Sequence, residues 1–227
     1  MRPVGPAIHR RRSTWALAAH ACCQESGGAL QGGGVIKTLT GANLSGVARR
    51  DEILEAAAKL FAARGFHGVS IAELGAACGI SGPALYKHFS GKEAILAEML
   101  VQISEELLDE GRRRVRRASG GEDTMRALLD WHVSFAVTHR ELIVVQDRDW
   151  SSLPDDAREQ VRELQRKYVE IWVRALRRLR LDLRAPEARA RVHATFGLLN
   201  STPHSAFLED MEMHGMLMRM GRAALLA

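Results

Sequence analysis

A chain of 227 residues that is 46% hydrophobic and 26% charged, with only 6 prolines, holds enough apolar material for a sizeable core and lacks the bias of a fibrous or low-complexity protein. Its formal net charge of +5 comes mostly from residues 1–46, where five Lys/Arg face one Glu, so bulk basicity by itself argues for no nucleic-acid partner. Cys22, Cys23 and Cys78 form no C-x-x-C pair, which excludes a disulfide framework and a zinc ribbon, and no run approaches the ~20 apolar residues of a membrane span.

Residues 1–46 are rich in Gly, Ala and small polar residues, including "SGG" and "QGGG", and carry no sustained period, so irregular structure is expected. A translation start further in, near Val35 or Val47, would account for them; the rival role is a basic arm whose His9 to Arg12 touches DNA phosphates. The apolar stretch "WALAAHACC" is short and has no cleavage site, so a cytoplasmic location is expected.

From Val47 the spacing of Ile53, Leu54, Ala57, Leu60 and Phe61 predicts a helix ending at Arg64-Gly65. "SIAE" reads as a capping box, with Ser70 and Glu73 exchanging hydrogen bonds at the start of a short helix to Cys78. Gly79 turns the chain, Ser81 caps a third helix with Pro83 in its first turn, and Ser90 to Glu93 repeats the capping-box pattern ahead of a long fourth helix.

Two short helices joined by a glycine turn and braced by a preceding helix are the geometry of a helix-turn-helix, whose second helix enters the major groove of DNA. Ile80 and Leu85 are expected to face inward. The exposed set is then Ser81, Gly82, Pro83, Ala84, Lys87 and His88, with Tyr86 at the edge. The segment "SIAELGAACGISGPALYKHFSGKEAIL" resembles the DNA-binding half of TetR/AcrR-family transcriptional regulators, with Leu85, Tyr86, His88, Phe89, Lys92 and Glu93 on the family's pattern. The chain departs from it at Pro83-Ala84, where the family often has Gly-Thr, so a hydroxyl available to phosphate or base is missing. Tyr86, Lys87, Lys92 and Ser70 suit phosphate oxygens, while Gly82, Pro83, Ala84, Lys87 and His88 remain to read base edges.

Beyond residue 92 the pattern stays helical, which makes the fold all-α: a helix-turn-helix unit over 47–92 and a larger helical unit over 93–227. "ELIVV" (Glu141 to Val145) reads as a buried helix because a lone strand would have no partner. "SSLPDD" starts a long helix to about Arg180, Pro186 opens another to about Asn200, and a last one is expected from Ser205 to Ala224.

The resemblance implies a homodimer joined by the last two helices, bound to a pseudo-palindromic double-stranded operator and released by a small molecule. It also implies a cavity lined by Trp131, Phe135, Tyr168, Trp172 and Phe196, with His132, His193 and Asn200 as polar contacts. Apolar lining favours a fatty acid or acyl-CoA as effector. Surplus apolar residues at Phe196, Leu199, Met213, Leu217 and Met220 suit a two-chain interface. No cofactor or metal is expected, since the Met211 to Met216 stripe reads as methionine packing, and no hydrolase, zinc-protease, P-loop or dinucleotide motif suggests an enzyme. The alternatives are an activator of the same fold and a helical interaction protein without DNA binding.

Overall fold

The computed structural model describes residues 41–205 and 207–227. The expected stripe of the first helix, α1 (Gly41–Arg64), is inward: Ile53, Leu54, Ala57 and Phe61 are buried. Of the extension expected over 1–46, residues 1–40, with the basic arm and Val35, lie outside the described residues; 41–46 are helical, ahead of the expected start at Val47.

Helices α2 (Ile71–Ala77) and α3 (Gly82–Leu85) follow, and α4 (Lys92–Arg117) leaves this head and runs on into the body. Ile53, Phe61, Leu74, Leu85, Ile95 and Leu96 form one core that continues into the body through Phe135, Leu142 and Val145. The body adds α5 (Gly121–Thr138), α6 (Arg140–Asp149), a 3-10 turn (Trp150–Ser152), α7 (Asp155–Leu179), α8 (Ala185–Leu199), a second 3-10 turn (Thr202–His204) and α9 (Asp210–Leu226). Its own core surrounds Trp172, with Leu128, Leu176, Val192 and Leu217.

"ELIVV" is helical, within α6, and no strand occurs among the described residues. No helix among the described residues is long and apolar enough to cross a membrane. Two local expectations fail. Ser90 does not cap α4; Gly91 is its N-cap, without a side-chain bond. The last helix starts at Asp210 instead of Ser205, where Asp210 and Glu212 place negative charge at the positive end of the helix dipole. The expected interface set also divides: Leu199, Met213 and Leu217 are buried within the protomer, and only Met220 is exposed.

Candidate DNA interface and ligand cavity

The head is assembled by short-range hydrogen bonds. Ser70 Oγ accepts from the Glu73 amide at 3.2 Å, while the Ser70 amide and hydroxyl both donate to the Glu73 carboxylate, at 2.8 and 2.7 Å. Those bonds, with Arg64 at 2.7 Å, hold the Glu73 pKa down to about 2. Gly79 has φ 67°, the left-handed conformation that the turn requires. Gly75 matters through contact: a Cβ there would lie 2.8 Å from the Ile80 carbonyl oxygen, so only glycine lets α2 approach the turn. Ser81 Oγ accepts from the Ala84 amide at 3.3 Å, and Leu85 fills the core.

This packing leaves Ser81, Pro83, Tyr86 and Lys87 exposed on the outer side of α3, with Gly82, Ala84 and His88 half-buried beside them. Tyr86 is 57% exposed, unusual for an aromatic ring in a well-packed head. Regular helix ends at Leu85, and Tyr86 to His88 continue as a turn.

Two residues expected at phosphates are engaged elsewhere. Lys92 Nζ donates to the Phe66 and Val69 carbonyls at 3.0 and 3.2 Å and lies over the Phe66 ring, so its charge ties the α1–α2 loop to α4. The Ser70 hydrogen is already donated to Glu73. Conversely, Arg50 was not singled out by sequence. It donates to the His88 carbonyl, pairs with Glu98 of α4 and covers the Phe89 ring at 4.2 Å, fixing the end of α3. Only long-range contacts reveal it, since no local motif marks an arginine 38 positions before its partner.

The body holds a cavity of about 370 Å³, open to solvent on the side of Arg162, Arg166 and His193, between α4, α5, α6, α7 and α8. Phe135, Tyr168 and Phe196 line it as expected, with His132, His193 and Asn200. Trp172 does not: it is fully buried behind the wall, edge-on to His132 and Phe196. Trp131 turns away as well, under the Arg114 guanidinium at 5.5 Å. Periodicity placed both on the right helices, Trp131 on α5 and Trp172 on α7, but the middle of α7, from Tyr168 to Leu176, is apolar on nearly every face and gives no sign of which residue meets the void.

His132 is stacked on Phe196, centroids 4.5 Å apart, and its Nε2 lies 3.2 Å from Asn200 Oδ1. An amide oxygen only accepts, so Nε2 carries the hydrogen and Nδ1 is left to accept from the Tyr168 hydroxyl at 3.4 Å. Burial pushes the His132 pKa down to about 4, so the ring is neutral near pH 7, and burial raises that of Tyr168. Ile103, Leu107, Leu142 and Ile143 make the apolar part of the wall, while Asp147, Arg162, Arg166 and Arg189 lie on the polar part, Arg162 pairing with Glu159 at 3.6 Å, Arg166 with Glu163 at 3.7 Å and Arg189 with Glu170.

Helix α6 joins the two regions. Leu142, Ile143, Gln146 and Asp147 line the cavity. The next residue, Arg148, donates to the carbonyls of Phe61 and Ala62 at the C-terminal end of α1, where the Phe61 carbonyl also accepts from the Gly65 amide at 2.8 Å. Asp149, only 6% exposed, accepts from the Phe66 amide at 3.2 Å. No local motif in the sequence marks this clamp.

Residues 53–99 match the family model of bacterial regulatory proteins, tetR family, and residues 118–204 match that of the tetracyclin repressor-like C-terminal domain. The HTH-type transcriptional repressor KstR2 of Rhodococcus jostii (strain RHA1) is 28% identical over 129 residues, 56% of this chain and 63% of the relative, so the match spans under two thirds of the relative's length. A TetR-family transcriptional regulator from Bordetella parapertussis 12822 superposes with a TM-score of 0.71 at 27% identity, covering 78% of this chain and 94% of that one. FadR from Bacillus subtilis in complex with stearoyl-CoA superposes with a TM-score of 0.61 at 16% identity over 77% of this chain and 94% of its own, which shows a shared fold.

Proposed function

The chain belongs to the tetR family of bacterial regulatory proteins, and from that membership and the geometry of its two regions we infer that it is a ligand-responsive repressor of transcription. It binds a pseudo-palindromic operator as a homodimer and is released when an amphipathic anion, of the fatty acyl-CoA class, enters the body. The observation that carries the reading is that α6 both lines the cavity and clamps the end of α1 through Arg148 and Asp149. A ligand that moves α6 therefore has differential affinity for two positions of the head, the condition for any release.

On the DNA side, Tyr86 and Lys87 are exposed, and Lys87 has no acidic partner among the described residues. Lys87 donates to a base acceptor or phosphate, Tyr86 to phosphate, and the small surfaces of Gly82, Pro83 and Ala84 admit thymine methyl groups. On the ligand side, an apolar wall suits an acyl chain, its negative head would compete with Glu159, Glu163 and Glu170 for Arg162, Arg166 and Arg189, and the neutral His132–Asn200 pair offers hydrogen bonding without a buried charge. A fold shared with stearoyl-CoA-bound FadR is consistent with that class.

The test is selection of bound fragments from genomic DNA, followed by titration of the recovered complex with palmitoyl-CoA and with free coenzyme A. The reading expects a shared two-fold-related sequence and dissociation by palmitoyl-CoA at concentrations where coenzyme A has no effect. Recovery of fragments without a common site, or a complex indifferent to acyl-CoA that nevertheless binds the protein, would overturn it.

A further inference from the structure

We propose a second anion site, for a nucleoside polyphosphate, at the end of the body remote from the DNA-binding head. Arg112 and Arg116 of α4 and Arg174 and Arg178 of α7 line one cleft of about 220 Å³, and no acidic side chain lines it with them. Arg112 is paired with Asp109 at 3.3 Å. Arg116, Arg174 and Arg178 have no ion-pair partner among the described residues, and neither do the adjacent Arg117 and Arg177.

Elsewhere on the surface most arginines, such as Arg49, Arg64, Arg126, Arg140, Arg158, Arg180, Arg191 and Arg222, each meet a carboxylate; Arg184 and Arg219 are unpaired as well among the described residues, but the cleft gathers three such arginines from two helices. Exposed lysine without an acid also occurs at Lys87, on the proposed DNA surface. The cleft is a separate location: α4 has 26 residues, so its arginine end lies roughly 35–39 Å from its start in the head. The negative ends of the α4 and α7 dipoles favour cations in their last turns, which accounts for Arg116, Arg117, Arg177 and Arg178. It does not account for Arg112 and Arg174, which stand a turn earlier and flank the same cleft.

The floor selects the ligand. Val115, Ile171 and Ala175 are apolar, and the Thr124 hydroxyl is spent on the Gly120 carbonyl at 2.7 Å. Guanidinium groups form paired hydrogen bonds with phosphate oxygens and stack on flat rings, so the rim holds phosphates and the floor covers a base.

Calorimetric titration of the full chain with ATP and with inorganic pyrophosphate tests this, comparing wild type with Arg174→Ala/Arg178→Ala. Expected are saturable ATP binding, weaker at about 0.3 M than at about 0.1 M salt, and a loss of affinity of about tenfold or more in the double variant. Operator and palmitoyl-CoA affinities should be unchanged in that variant, which separates this site from the cavity. No ATP binding, or binding that the double variant retains, overturns the site; pyrophosphate binding as tight as ATP overturns the nucleotide assignment.

Discussion

Lys87 and Lys92 lie five positions apart and have different chemistry in the fold. Lys92 spends its charge on the Phe66 and Val69 carbonyls, whereas Lys87 projects from the outer side of the head. Lys92→Ala is therefore expected to lower the thermal stability of the head by on the order of 1–3 kcal/mol and to leave the salt dependence of operator binding unchanged. Lys87→Ala is expected to leave stability unchanged, to weaken operator binding by about 1–3 kcal/mol and to alter the preferred base. Melting curves and binding isotherms at several salt concentrations separate the two. His132 supplies a pH dependence of fixed sign: its folded pKa of about 4 lies below the ordinary value of 6.5, so the unfolded chain takes up its proton first as pH falls. Its contribution is complete above about pH 6.5 and is lost toward pH 4, on the order of 3 kcal/mol. Urea midpoints should fall more steeply over that window in wild type than in His132→Gln, whose side chain stays neutral throughout.

At the scale of elements, what was legible in the sequence is what depends on neighbours in the chain. The Ser70–Glu73 box, the Ser81 cap and the Gly79 turn all close within a few residues, and each is present. Ser90 to Glu93 has the same letters as a capping box but does not form one, because α4 begins at Lys92, whose side chain ties it to the α1–α2 loop. The cavity was half legible: Phe135, Tyr168 and Phe196 reach it, while Trp131 and Trp172 face elsewhere, since several apolar residues crowd the inner faces of α5 and α7 and spacing alone does not mark which of them meets a void. The α6 clamp was illegible, because Arg148 and its carbonyl partners are 86 and 87 positions apart. It yields the sharpest prediction at this scale. Arg148→Ala should keep palmitoyl-CoA affinity within about twofold yet reduce the effect of the ligand on operator affinity by about tenfold, read by fluorescence anisotropy of labelled operator. An undiminished response would remove α6 from the route.

For the molecule as a whole, the proposed reading of a two-fold operator needs two heads at fixed separation, and so a dimer. Helix α8 leaves Ala190, Ala194 and Gly197 exposed at helical spacing, and Phe207, Leu208, Met211 and Met220 are exposed close by in sequence. A second copy of the chain suits that surface: small residues allow close approach of helices and the large ones supply buried area. Nothing lies within 4 Å of a Cβ built at Gly197, so Gly197→Arg has room within one protomer and is expected to fold normally. It should sediment as a monomer and bind operator at least about tenfold more weakly; a dimer of unchanged strength would place the interface elsewhere.

Energetic coupling between the cavity and the DNA-binding surface is reciprocal. The most direct measurement is the dissociation constant of palmitoyl-CoA for the protein alone and for the protein saturated with its operator. The coupled arrangement predicts weaker acyl-CoA binding in the presence of operator, by the same factor with which acyl-CoA weakens operator binding. Equal dissociation constants with and without DNA would contradict it.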